Sequence, residues 1–194
     1  MKRFEIIIKG ITPLLQHRMR EEELLGLLGK KSEKKKDAEE LTPRQIADQY
    51  SYKNGDKYCI PTSYIVGAFK SIASEYKQKN SQRKSIKSIA GGIFRPESEY
   101  CDLHDHEEKP ITTFEVDIKK ATNHQKGAVA VCRPRFDRWQ TKFTATIDEG
   151  LISPSTVLEM LNDSGKRSGI GSFRVSKGGY FGQFAVIKFE ELKE

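Results

Sequence analysis

Cysteine is scarce in this chain, and long apolar runs are missing altogether. The three cysteines, Cys59, Cys101 and Cys132, are widely spaced and form no Cys-x-x-Cys pair. An odd, scattered set argues against a disulfide framework and for free thiols in a reducing compartment. No apolar run approaches the roughly 20 residues of a membrane-spanning helix. The longest early run, Ile6 to Ile8, is far too short for a secretory signal. These absences predict a cytoplasmic protein without a membrane partner. Tryptophan is limited to Trp139. Hydrophobic residues make up 36% of the 194 residues and charged residues 31%. That balance suits one domain over residues 1–194 with a small core and a very polar surface. The formal charge of +7 and the isoelectric point near 9.2 favour polyanionic partners, nucleic acid first among them.

Apolar periodicity outlines the elements. Phe4, Ile6 and Ile8 alternate along a first strand that Gly10 and Pro13 terminate. Residues 20–42 follow as a charged insertion, with five lysines between Gly29 and Glu40 and almost nothing apolar. This stretch is expected to be flexible, either as a plain solvated loop or as a basic finger over a ligand. Thr42-Pro43 predicts a short helix through Gln49. Asn54-Gly55 marks a hairpin between tyrosine-bearing strands, whose rings can stack on bases or pack against the domain. Ile65, Val66, Phe69, Ile72, Ala73 and Tyr76 form one helical stripe after Pro61. Residues 78–126 read as a second insertion, opening in the basic stretch Lys77 to Lys87 and closing on an alternating strand, Thr112 to Ile118. Strands are predicted over Ala128–Arg135 and, as its hairpin partner, Trp139–Ile147, with Asp137-Arg138 at the turn. Ser153-Pro154 starts a last helix that Gly165 is expected to end. Gln183 to Phe189 is the final strand. The order predicts an α+β, ferredoxin-like (RRM-like) β-α-β-β-α-β antiparallel sheet with helices on one face and insertions.

The segment from Gly165 to Gly182 concentrates the candidate chemistry. Gly165, Gly169, Gly171, Gly178, Gly179 and Gly182 allow close backbone approach. Lys166, Arg167, Arg174 and Lys177 add positive charge, and Phe173, Tyr180 and Phe181 add rings. Charge for phosphates and rings for bases are what single-stranded nucleic acid requires. The same glycines and phenylalanines also suit a crossing packed beneath a sheet. A nucleotide-triphosphate loop is excluded, because a helix precedes the segment, a strand follows it, and the Gly-Lys spacing is wrong. A dinucleotide fingerprint is excluded because Arg174 stands where the third glycine would be.

The pattern Ser164-Gly165, Gly169-Ile170-Gly171, Arg174 and Gly178-Gly179-Tyr180-Phe181-Gly182-Gln183-Phe184 before a last strand resembles the RAMP superfamily of CRISPR-associated, ferredoxin-like proteins. The helix after Ile60-Pro61 is similar to their early helix. Arg133-Pro134-Arg135-Phe136-x-x-Trp139 resembles compact phage or prophage relatives. The likeness spans most of the chain and is sharpest over Ser153 to Phe189. It implies binding of single-stranded RNA, polymerisation along it, or metal-free RNA cleavage with a histidine. The chain lacks the second ferredoxin-like half that processing members carry, which weakens the cleavage reading.

Elsewhere, Arg133 and Arg135 share a strand face, Arg138 lies in the adjoining turn and Lys142 on the expected partner strand, a set suited to phosphates. Trp139 reads as a core anchor. His17 beside Arg18 could supply a general base and a phosphate-binding cation, although a lone histidine is more often structural. Cys101-x-x-His104-x-His106 carries zinc-type ligands at a spacing no common structural site uses, so a solvated loop is the expectation and no metal or cofactor is assigned. Three functions follow. The first is a binder of single-stranded nucleic acid, RNA favoured, acting as a repeated protomer or with other ribonucleoprotein subunits. The second is a metal-independent endoribonuclease using His17. The third is a phage or prophage assembly protein that only self-associates.

Overall fold

The structure is a computed structural model that describes residues 1–29, 41–79, 81, 83–122 and 127–193. In chain order its elements are β1 (Lys2–Gly10), β2 (Leu14–Leu15), α1 (Glu21–Leu27), α2 (Pro43–Gln49), β3 (Lys53–Asn54), β4 (Lys57–Pro61), α3 (Thr62–Ile72), α4 (Ala90–Ile93), β5 (Phe94–Pro96), β6 (Tyr100–His104), β7 (Glu115–Thr122), β8 (Ala128–Phe136), β9 (Gln140–Ile147), α5 (Pro154–Arg167) and β10 (Phe184–Glu191). The architecture is α+β with mostly antiparallel pairing. No helix among the described residues is long and apolar enough to cross a membrane. Of the charged insertion read over residues 20–42 and expected to be flexible, Glu21–Leu27 instead forms α1, and residues 30–40, with its five lysines, lie outside the described residues.

Local chemistry explains most boundaries. Phe4, Ile6 and Ile8 are buried along β1, while the residues between them are partly exposed. The Thr42 side chain caps α2 by accepting from the Gln45 amide, and the Gln45 side chain accepts from the Thr42 amide, a reciprocal capping box. Gly55 adopts the positive φ of 61° that the tight turn between β3 and β4 needs. Ser153 caps α5 by accepting from the Thr156 amide at 3.1 Å.

Two sheets result. The main sheet runs β10-β1-β9-β6-β4-β3, and β5 also pairs with β9 beside β6. Each of these pairings is antiparallel. Ile65, Ala68, Phe69 and Ile72 of α3 and Val157, Met160 and Leu161 of α5 join Phe4, Ile6, Ile8, Phe143, Ala145 and Ile147 in one core. The second sheet has the order β2-β8-β7.

This arrangement corrects the expected hairpin. β8 pairs with β7 and β2, whereas β9 pairs with β1, β5 and β6. The cause is Trp139, which is fully buried and donates from its indole nitrogen to the Thr12 carbonyl at 3.0 Å. Its own carbonyl accepts from the Gly10 amide at 2.8 Å. A Cβ at Gly10 would run into the indole, so only glycine admits this anchor. Asp137-Arg138 carries neither of the glycine-rich pairs that close a two-residue hairpin, and the chain passes from one sheet to the other instead.

Three further boundaries move. The strand expected from Thr112 begins at Glu115, because Ile111 is tied to Leu103 and Tyr58, and Arg44 bonds Thr113 and the Phe114 carbonyl. The span read as a second insertion supplies β5 and β6 to the main sheet and β7 to the other. Gly165 does not end α5, which continues to Arg167. Gly165 instead sits where a Cβ would strike the Phe184 carbonyl, so its role is close packing of α5 on β10.

Candidate nucleic-acid interface

The glycine-rich loop leaves α5 and is seated on the chain just before and within β2. The Ser172 amide donates to the Leu15 carbonyl at 2.7 Å, and the Gly182 amide to the Pro13 carbonyl at 2.8 Å. Gly171 makes the first contact possible: its φ is 80°, and a Cβ there would meet the Leu15 carbonyl oxygen and the Leu14 side chain. Within the loop the Ile170 amide donates to the Gly182 carbonyl at 2.9 Å. Val175–Lys177 forms a single 3₁₀ turn closed by Gly178. Arg174 donates to the Gly171 carbonyl and to the Ser176 hydroxyl, both at 3.0 Å, which fixes its guanidinium along the loop.

The aromatic residues divide into one anchor and two exposed rings. Phe181 is buried, while Phe173 is 41% and Tyr180 60% exposed. Tyr180 stacks on Phe181 with centroids 4.3 Å apart. The Lys119 ammonium from β7 lies 4.4 Å from the Phe181 ring centre, 5.7 Å from that of Tyr180 and 5.9 Å from that of Phe173. It also pairs with Asp117 at 3.2 Å. The ion pair within β7 positions the ammonium, and cation–π attraction holds the loop against the three-stranded sheet.

Strand register fixes what the sheet presents to that seam. Directly opposed residues share a face. Glu115 stands opposite Arg135, Asp117 opposite Arg133, and Lys119 opposite Val131. Leu15 also stands opposite Arg135, and the Gln16 amide donates to Pro134 at 3.2 Å, which brings His17 toward Arg133. Two buried atoms in this row have no hydrogen-bond partner: Oδ2 of Asp117 and Nε of Arg133.

His17 is exposed as a residue, but one face of its ring is covered by Tyr50, with centroids 4.4 Å apart and planes inclined by 12°. Partial burial, helped by the charges of Arg133 and Arg20 and opposed by Glu23, lowers its pKa below the usual imidazole value. The ring is therefore neutral at pH 7, able to accept a proton. Arg20 lies over the other part of this cluster, 5.2 Å from the Tyr50 ring centre, and pairs with Glu23 at 2.9 Å.

The remaining predicted cations scatter. Arg135 pairs with Asp137 at 2.5 Å, and Arg167 binds Glu75 through two 2.6 Å hydrogen bonds. Lys142 belongs to the main sheet, so it does not share a surface with Arg133 and Arg135. It contacts Glu5 at 2.6 Å, and Lys188 holds the same carboxylate at 2.7 Å. The hydrogen bond from Lys142, followed by that from Lys188, keeps Glu5 ionised below the ordinary carboxylate range. Arg138 is exposed in its turn, near Asp105 and His106. Lys166 is exposed on the last turn of α5, and Lys177 is exposed at the end of the 3₁₀ turn.

Cys101 and His104 point to opposite faces of β6: Cys101 is buried in the core, and His104 lines a cavity of about 290 Å³ on the open sheet face with Glu5, Lys142 and Lys188. Burial pushes the Cys101 thiol up to about 12. Among the described residues no three His, Cys, Asp or Glu side chains cluster as a metal site. Tyr58 packs rather than presenting its ring, since it is buried and bonds Asp48 through its hydroxyl at 3.0 Å.

Asp117 and Lys119 were not singled out by sequence reasoning, and Tyr50 was noted only among the hairpin tyrosines, not as a partner of His17. The alternation of β7 does put Asp117 and Lys119 on one face, but nothing local says that this face meets the glycine-rich loop. No protein-family model matches the chain, and no curated protein matches it.

Proposed function

We propose that this chain binds single-stranded nucleic acid, RNA in the first instance, along the seam between the glycine-rich loop and the three-stranded sheet. The observation that carries the proposal is the pair of exposed rings, Phe173 and Tyr180, standing beside Lys119, with Arg174 and Lys177 in the same loop, Arg133 on the adjoining sheet and His17 just beyond β2. Stacking on such rings is sequence-tolerant, and the cations track the phosphates. A ferredoxin-like, RAMP-type reading supports the same function. It rests on the strand order β10-β1-β9-β5/β6, with α3 between the first and second of these strands in the chain and α5 between the third and fourth.

Fluorescence anisotropy with labelled single-stranded RNA, single-stranded DNA and duplex DNA, titrated across salt, tests it. Affinity for the single strand should fall steeply with salt, by a logarithmic slope of about −0.7 per phosphate contact. Arg174→Ala and Lys177→Ala should each weaken binding and flatten that slope by about one contact. Lys142→Ala, at a site already neutralised by Glu5, should change it less than either. Absence of binding to every strand at low salt overturns the proposal and leaves self-association as the function.

A second reading, metal-independent RNA cleavage, is favoured by the lowered His17 pKa and the neighbouring Arg133 charge. A neutral imidazole can accept the proton of an attacking 2′-hydroxyl while the guanidinium stabilises the phosphate. RNA left intact by the protein in chelator removes this reading.

A further inference from the structure

We infer that the seam discriminates among bases, and that Asp117 and Arg133 read a guanine. The inference rests on the nucleic-acid reading above and deepens it. Asp117 has a side chain only 5% exposed, yet Oδ2 accepts no hydrogen bond. Arg133, directly opposite it across the β7–β8 ladder, carries a buried Nε with nothing to donate to. Buried polar atoms are nearly always paired, so two orphans on one cross-strand pair call for a common partner. One is an acceptor and the other a donor, and opposed residues hold their Cβ atoms about 4.5–5.5 Å apart.

The Watson–Crick edge of guanine complements this pair. Its O6 accepts from the arginine Nε–H, and the adjacent N1–H and 2-amino group donate to the carboxylate, whose free lone pairs can take both. Uracil places a carbonyl on each side of its single N–H, and these repel the carboxylate. Adenine and cytosine each offer a single amino donor on that edge. Unstacked bases in single strands are read on such edges while their faces rest on aromatic rings. Tyr180 and Phe173 supply those faces next to Asp117, through Lys119. The Lys119 side chain is 37% exposed and its ammonium is held by one carboxylate oxygen and three ring faces. The incoming base takes its place on the rings, and the displaced ammonium turns to the phosphate.

The test is anisotropy with a labelled 12-nucleotide oligouridylate carrying one central guanine, inosine, adenine or cytosine, measured on the native protein. The guanine strand should bind about ten-fold more tightly than the all-uridine strand. Inosine, which lacks the 2-amino group, should fall between them. The ratio should hold as salt rises, because base hydrogen bonds release no counterions. Asp117→Asn, checked for folding by thermal melting, should bring the guanine-to-uridine ratio to within two-fold of unity. Should that variant not fold, the inosine comparison decides. Equal binding of all strands, or a preference for another base, overturns the inference while leaving single-strand binding intact. Failure of every strand to bind at low salt overturns the underlying reading as well.

Discussion

Gly171→Ala tests whether the glycine-rich loop is truly seated on β2, and Gly178→Ala is its control. Both glycines are left-handed, with φ of 80° and 77°. An alanine in that conformation costs about 1 kcal/mol. At Gly178 nothing lies within 4 Å of the added methyl, so that cost is the whole effect. At Gly171 the methyl meets the Leu15 carbonyl oxygen and Leu14, which is fully buried. Forcing the loop away adds about 1 kcal/mol for the lost bond from the Ser172 amide to Leu15, and at least about 1 kcal/mol for disturbed packing. The total is about 3 kcal/mol. For a chain of this length each kcal/mol lowers the melting temperature by roughly 2–4 °C. Calorimetry should therefore show a loss of roughly 6–12 °C for Gly171→Ala against roughly 2–4 °C for Gly178→Ala. Equal losses in the two variants would refute the reasoning, because the added methyl meets β2 at Gly171 and open space at Gly178.

Acid should destabilise the fold in two stages. His17 and His106 have pKa values lowered, chiefly by burial, so the unfolded chain binds protons more readily than the folded one. Their contribution is complete above the ordinary imidazole value of about 6.5 and is lost as pH falls through the lowered folded values. The melting temperature should drop between pH 7.5 and 5.5, and a His17→Gln, His106→Gln double variant should flatten that drop. A second loss, from Glu5, Glu75 and Glu97, whose pKa values are lowered by hydrogen bonds from lysine or arginine partners, belongs below the ordinary carboxylate range. An aromatic disulfide reagent at pH 8 should label none of Cys59, Cys101 and Cys132 rapidly in the native protein, since all three are buried and burial pushes the first two up to about 11 and about 12. Full labelling should need denaturant; rapid native labelling would contradict the core described here.

What was legible in the sequence was local. Alternation in β1 and the Thr42 and Ser153 caps depend on residues within a few positions of one another and are found where expected; the helical stripe read from Ile65 to Tyr76 holds only to Ile72, where α3 ends. The pairing of β8 was not legible. The contacts that decide it, Trp139 with Thr12 and Gly10, span more than 120 residues, and a long-range anchor leaves no periodic trace. Candidate cations were visible as residue types, but their charge balance was not. Arg167 and Lys142 read like Lys177 in sequence, yet Glu75 and Glu5 neutralise the first two from distant elements.

That charge balance moves the proposed interface. The open face of the main sheet, where Lys142 was expected to meet phosphate, carries Glu5 between Lys142 and Lys188. Both ammonium groups are committed to a carboxylate held ionised, so a phosphate placed there would compete with Glu5 for each of them and be repelled by it. Along the seam Asp117 is buried and already shares its charge with Lys119, and Glu115, on the same strand face, stands opposite Arg135. Arg174 spends its donors on a backbone carbonyl and a hydroxyl, which neutralise nothing, so its positive charge stays available. A basic chain thus offers a polyanion one face whose lysines are already paired with carboxylates and one seam where Arg174 is not, and it is the seam that also carries the rings.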